Sequence, residues 1–247
     1  MRAPGQKFVF IPGGELLNPL FKSWREMNNK GIVLSTLRKQ LGMPERDIDI
    51  WRRDDSGVNA KPGPGFEDWG AEKRPFFTQH RDFHTLLMGT QLDRLTANFV
   101  GNYKRQLAEQ TAITDEWSHF PDLYDFLRRH MFRASVRSLC GDLIFEVNPN
   151  FIEEYWAYDD ALPFLLRGLP RWISPRSWAA RDKALAAIRN WHASANARFD
   201  WGDEEAVHAE WEPLFGARLM RARQEMARDM GQSADGNASV DLGMLWA

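Results

Sequence analysis

His84-Thr85-Leu86-Leu87-Met88-Gly89-Thr90-Gln91-Leu92-Asp93-Arg94-Leu95-Thr96-Ala97-Asn98-Phe99 decides the fold class. Leu87, Leu92, Leu95 and Phe99 recur at near-helical spacing, and Phe83, Tyr103 and Leu107 extend the same stripe on both sides, with some drift near Gly89. A stripe of that length is a helix, not a strand. Downstream, Leu123, Phe126, Leu127, Met131 and Ala134 mark a second helix, opened by Pro121 and Asp122 and closed by Gly141. Asn150 stands where it can cap a helix through Phe151, Ile152, Tyr155 and Trp156. Pro163 to Pro175 reads as an apolar linker into a long helix marked by Trp178, Leu185, Ile188, Trp191 and Ala195. Another helix is expected from about Glu204 to Met230, then a polar stretch from Gly231 to Ser239. Val240, Leu242, Met244, Leu245 and Trp246 begin a strongly apolar helix, and the sequence stops at Ala247 without a cap, which reads as an interrupted helix.

Upstream, Asp54 to Gly70 carries Asp54-Asp55-Ser56-Gly57 and Pro62-Gly63-Pro64-Gly65, a long loop. Ile32 to Leu41 reads as a short helix ending at Gly42, and Leu16, Leu17, Leu20, Phe21 and Trp24 as another. Lys7 to Ile11 reads as a short strand stopped by Pro12-Gly13-Gly14. The expected architecture is mainly α: residues 1–75 form a small strand, helix and loop part, and residues 76–247 the helical part of one domain.

Composition removes several function classes. A net charge of -2 gives no bulk attraction to nucleic acid or acidic lipid, and the pairs Arg52-Arg53 and Arg128-Arg129 are too small to change that. The single cysteine, Cys140, excludes an internal disulfide and a multi-cysteine zinc site and fits a reducing compartment. The eleven tryptophans point to large apolar contacts. The apolar run Phe8-Val9-Phe10-Ile11 is too short for a signal-peptide core, and eighteen apolar residues run together nowhere. With no route to the secretory lumen, the sequon Asn237-Ala238-Ser239 carries little weight. Neither a Gly-rich phosphate loop nor a Gly-x-Ser-x-Gly signature occurs.

His80 and His84 stand one helical turn apart and can face one side of a helix. Two such histidines can bind zinc, but the hydrolase motif needs His-Glu-x-x-His, and Arg81 holds the glutamate position. Metal binding and ordinary solvent contact both stay open. The acidic pairs Asp54-Asp55, Glu153-Glu154, Asp159-Asp160 and Glu204-Glu205 read as solvated surface, and Glu225 with Arg228 as a surface ion pair. Around Pro163 to Trp178, Phe164, Leu165, Leu166, Leu169, Trp172 and Ile173 alternate with Arg167, Arg171 and Arg176. Either this segment dips into a membrane face with its arginines at the headgroups, or it is a core-facing linker.

These stretches resemble cytochromes P450 of the sterol 7α-hydroxylase and prostacyclin synthase group, fungal members included. Gly89, Leu92, Leu95 and Thr96 match the pattern of their third main helix. Asp122 to Phe126 and Ser138-Leu139-Cys140-Gly141 look like the next helix and its Phe-Gly ending, with cysteine for phenylalanine. Leu169-Pro170-Arg171-Trp172 resembles the fungal lid loop, and Leu242 to Ala247 the start of the long central helix. The resemblance runs in order from about Phe76 onward.

It implies a haem-dependent monooxygenase that oxidises or hydroxylates an apolar small molecule, such as a sterol, lipid or secondary metabolite, with electrons from a reductase. It also implies that His80, Arg81 and His84 lie near the haem propionate edge, where such side chains donate to carboxylates. Leu165, Leu166, Leu169, Trp172 and Ile173 would form the membrane-facing lid. Cys140 departs from the thiolate motif Phe-x-x-Gly-x-x-x-Cys-x-Gly, because Arg133, Val136 and Asp142 hold its Phe and Gly positions. It reads instead as a small buried apolar residue. Glu225-Met226-Ala227-Arg228 spells the family's Glu-x-x-Arg but precedes the central helix. The expectation is therefore the front portion of a P450 fold, without a catalytic residue of its own. It would not hold haem stably or carry out oxygen chemistry alone, and would sit in the cytoplasm or peripherally on the endoplasmic reticulum. The alternative is a non-enzymatic small-molecule-binding or interaction protein that reuses the substrate-recognition half.

Overall fold

The structure is a computed structural model describing residues 2–3, 6–7, 13–23, 29–110, 113 and 116–246. It is mainly helical, with 69% helix and 2% strand, as the periodicity requires. The chain divides into two compact units, Met1–Val33 and Leu34–Ala247. In the first, β1 (Arg2–Ala3) pairs antiparallel with β2 (Gln6–Lys7), and α1 covers Gly14–Lys22. Phe8 to Ile11 of the expected strand, Trp24 of the expected helix and the terminal Ala247 lie outside the described residues. Helix α2 (Lys30–Lys39) follows and ends before Gly42, which takes a positive φ.

After α2 comes an element the sequence reading passed over. Pro44 opens α3 (Glu45–Arg53), whose Ile48 and Trp51 are fully buried one turn apart. The loop at 54–70 is ordered by two buried charges. Arg74 donates from Nε to Ser56 Oγ (2.7 Å), from Nη1 to the Ala60 carbonyl (3.1 Å) and from Nη2 to that of Asn59 (2.6 Å). Asp54 is not solvated surface: its carboxylate accepts from Ser56 N (3.0 Å), Ser56 Oγ (2.6 Å) and Phe76 N (3.1 Å). It thereby satisfies an otherwise orphaned amide at the start of α4 (Pro75–Leu86). The drift near Gly89 proves to be a break. Gly89 has φ 58 and ψ -136, a conformation closed to other residues, and α5 (Thr90–Ala108) starts afresh after it.

Helix α6 (Leu123–Cys140) has the expected bounds, and the Asp122 side chain caps it through Asp125 N at 3.0 Å. Next come α7 (Leu143–Val147) and α8 (Phe151–Leu166). Asn150 precedes α8 but makes no side-chain cap bond; its carbonyl accepts from Glu154 N. Pro163 to Leu166 form the last turn of α8 and not a linker; only 167–174 connects it to α9 (Pro175–Arg198). Helix α9 buries Ser177, Arg181, Ala184, Leu185, Ile188, Trp191, His192 and Ala195 along one stripe, against α7, α8 and α12 (Ala234–Trp246). Trp191 is wholly buried and its Nε1 donates to the Leu214 carbonyl at 2.8 Å.

The single helix expected from Glu204 to Met230 is four elements. α10 spans Glu204–His208, β3 (Trp211–Glu212) pairs antiparallel with β4 (Gly216–Ala217), and α11 spans Arg218–Asp229. The hairpin seals the end of α6. Asp142 N donates to the Pro213 carbonyl (3.0 Å), and Trp211 Nε1 to that of Ser138 (3.0 Å). Gly216, at φ 73, lies so close to Leu139 and Cys140 that a Cβ there would strike their backbone. Arg221, fully buried on α11, ties the segment together. It donates to the carbonyls of Val207 (3.1 Å), Gly216 (2.9 Å) and Ala209 and pairs with Glu212 (3.2 Å).

The polar stretch before Val240 is likewise no linker. Ser233 opens α12 and is held from α3, its N–H donating to Asp47 Oδ1 at 2.8 Å and its hydroxyl to Asp47 Oδ2. Asn237 is half-buried and donates to Gln224 Oε1 at 2.8 Å, so the sequon lies inside a helix. No helix among the described residues is long and apolar enough to cross a membrane.

Candidate functional site, an apolar cavity of four helices

A cavity of about 560 Å³ lies where α4, α5, α6 and α12 meet. Phe83 and Leu87 reach it from α4 and its C-cap; Leu92, Leu95, Thr96 and Phe99 line it from α5. Ser135, Ser138 and Leu139 close the α6 side, and Met244 comes from α12. Leucine and phenylalanine dominate, so an apolar guest gains from leaving water there. The buried polar group of the wall, Ser138, is already used. Ser138 Oγ donates to the Ala134 carbonyl (2.8 Å) and accepts from Asn102 Nδ2 (2.8 Å), while Asn102 Oδ1 accepts from Arg105 (3.0 Å). Buried amide and hydroxyl thus carry no unpaired donor into the cavity.

Behind α12 lies a constellation that sequence reasoning missed. Asp241 is fully buried; its Oδ1 takes Arg223 Nε at 2.5 Å and its Oδ2 faces His192 Nε2 at 2.9 Å. Gln224 Nε2 lies 3.3 Å from Asp241 Oδ2 and 3.2 Å from His192 Nε2. Burial pushes the Asp241 carboxyl up, but Arg223 and His192 outweigh it and hold the group below its ordinary range. Met244, one turn on from Asp241, lines the cavity. A carboxylate between Val240 and Leu242 was the available signal, because a buried charge demands a cation.

Of the residues singled out from sequence, His80, Arg81 and His84 are exposed on α4 and none lines the cavity. The two imidazoles share a face, with ring centroids 4.5 Å apart, and Arg81 pairs with Asp82 at 2.8 Å. Arg228 stands over the Trp201 ring at 4.6 Å, and no ion pair joins it to Glu225 among the described residues. In the lid segment Leu165 is core, 2% exposed at the end of α8, and is out of reach of lipid. Leu169 is half-buried, whereas Leu166, Trp172 and Ile173 are exposed, Trp172 at 81%. The connecting segment is thus more exposed than buried, and Trp178 Nε1 anchors its start at the Leu169 carbonyl (2.9 Å). Cys140 is fully buried, and that burial pushes its thiol well above the ordinary range. A haem-ligating cysteine is a thiolate facing its cofactor, and Cys140 does not line the cavity.

No family model and no solved structure matches the chain. Curated proteins do. The cytochrome P450 monooxygenase efuG of Hormonema carpetanum is 30% identical over 172 residues, 68% of this chain and 30% of that protein. The cytochrome P450 monooxygenase fsoE of Humicola fuscoatra is 30% identical over 177 residues, 68% of this chain and 29% of its own length. The cytochrome P450 monooxygenase calL of Penicillium decumbens is 26% identical over 219 residues, 88% of this chain and 40% of its own. The chain is a homologue of fungal cytochrome P450 monooxygenases and spans about a third of their length.

Proposed function

We propose that this chain is the front, substrate-recognising portion of one P450-like domain, in the sterol 7α-hydroxylase and prostacyclin synthase group. The whole protein's activity would then be hydroxylation or a related oxidation of an apolar small molecule, with haem as cofactor and a reductase as electron donor. One observation carries the reading. Three stretches that resemble the family, around Leu92 to Thr96, Ser138-Leu139 and Met244, lie up to about 150 residues apart yet line one apolar cavity. The chain's own residues do not fit an axial thiolate, so no chemical step is assigned to them. Exposed His80, Arg81 and His84 suit donation to haem propionates. The exposed Leu166, Trp172 and Ile173, with half-buried Leu169, suit a peripheral membrane contact at the endoplasmic reticulum.

The test has two arms. Supplied with haem, reduced and exposed to carbon monoxide, the chain is expected to lack the Soret band of thiolate ligation. Such a band, abolished by Cys140→Ser, overturns the assignment of Cys140. Haem-free chain is then titrated with a sterol-like fluorescent ligand. Saturable binding that Phe99→Asp abolishes supports the cavity as the recognition site. Because the cavity is built wholly from residues of this chain, binding of that kind without haem also favours a stand-alone small-molecule-binding protein. Failure to bind removes that second reading.

A further inference from the structure

We infer that His80 and His84 form a two-imidazole site for a divalent late transition-metal ion on the exposed face of α4. The inference concerns the haem-free chain; with haem bound, the propionates invoked above would compete for the same two imidazoles. Both side chains are exposed, and neither has a hydrogen-bond partner among the described residues, so both rings keep a lone pair for coordination. Their spacing fits one ion. With metal–nitrogen bonds of about 2.0–2.1 Å, each ring centroid lies about 3.2 Å from the metal. Two such rings at about 90–110° around it have centroids about 4.5–5.2 Å apart. The observed 4.5 Å falls at the right-angled end of that window.

Arg81 does not compete for the position, since its guanidinium pairs with Asp82 at 2.8 Å and stands over the Phe77 ring. No group of three or more ligating side chains occurs among the described residues, so water completes the coordination shell. Imidazole selects copper, nickel and zinc over magnesium, calcium and manganese, and the expected order puts copper first. The ion would staple one turn of α4, the helix whose Phe83 lines the apolar cavity.

The test titrates the untagged, haem-free chain with Cu²⁺, Ni²⁺, Zn²⁺ and Mn²⁺ by calorimetry. One ion per chain is expected, copper tightest and manganese weakest. His80→Ala and His84→Ala should each weaken nickel binding at least tenfold, while His119→Ala and His208→Ala leave it unchanged. Circular dichroism checks that the variants keep their helix. On wild-type protein, nickel should protect His80 and His84 together from diethyl pyrocarbonate. The proposal is overturned if nickel does not bind at one per chain, if either single variant binds like wild type, or if the ion protects neither histidine. Each outcome leaves the sterol-ligand titration untouched.

Discussion

The two sides of α12 are built on opposite principles. Toward α9 and α11 its contacts are closed: Asp241 is paired with Arg223 and faces His192, and Leu242 and Ala238 are fully buried. Toward α5 and α6 they are open. Met244 looks into a cavity whose Leu92 is itself exposed, and Val100 on α5 and Leu127 and Met131 on α6 are exposed too. Hydrophobic burial is not directional, so apolar residues alone would let α12 roll or slide; the charge cluster on the closed side supplies a direction. The comparison shows a helix anchored by charges on one flank while the adjoining flank stays available.

The hardest way to break this arrangement is Arg223→Met. Methionine fills the space but leaves Asp241 buried without its closest cation, which costs about 3–5 kcal/mol. For a chain of this size that amounts to roughly 10 °C in Tm by calorimetry. An unchanged Tm would mean that α12 is not held by its charges. Next comes Ile188→Ala, fully buried on α9, with an expected loss of about 2–4 kcal/mol. Leu92→Ala on the open side should change stability by less than about 0.5 kcal/mol. Urea midpoints on the two variants measure the contrast directly.

Acid sharpens it further. Asp241 titrates below its ordinary value in the fold and near about 3.9 when unfolded. Its contribution is thus present above about pH 4 and is lost as pH falls toward the lowered folded value. Wild type should lose stability over that interval more steeply than Asp241→Asn, which is weaker at neutral pH but flatter in acid. Parallel curves would remove the carboxylate from the account.

What the sequence made legible follows the same division. The stripes of α5, α6 and α9 announce themselves because one face of each meets a continuous apolar surface, and Leu92, Leu95 and Phe99 lie on the first of them, although nothing in the sequence marked them as the wall of a cavity. The closed side was hidden. Arg223, His192 and Asp241 come from three helices up to 49 positions apart, and no local pattern links them. The hairpin at 211–217 was missed for a related reason. Arg221 is a strong helix former whose neighbours read as helix, yet it is consumed by carbonyls of the preceding turn. Asp54 passed for a surface charge and Asp47 was not singled out, because their partners, Phe76 N and Ser233, lie 22 and 186 residues away.

The smallest expected effect on stability, and the one that separates surface from core most cleanly, belongs to Trp172. Its indole is 81% exposed between α8 and α9, next to Ile173 at 50% and within reach of Arg167, Arg171 and Arg176. Arg171 already pairs with Asp182, so two arginines remain for anionic headgroups. An indole suits the boundary of a bilayer because its body is apolar and its N–H still needs a partner. Trp172→Ser removes no buried contact and should shift Tm by no more than about 1–2 °C, a change of about 0.5 kcal/mol or less. Co-sedimentation with neutral and with anionic vesicles then isolates the surface role. The variant should pellet less than wild type with both, and the anionic preference should survive because the arginines are intact. Wild-type protein that pellets with neither vesicle denies the segment a membrane role, and a variant that loses helix would show that the indole supports α8 and α9 after all.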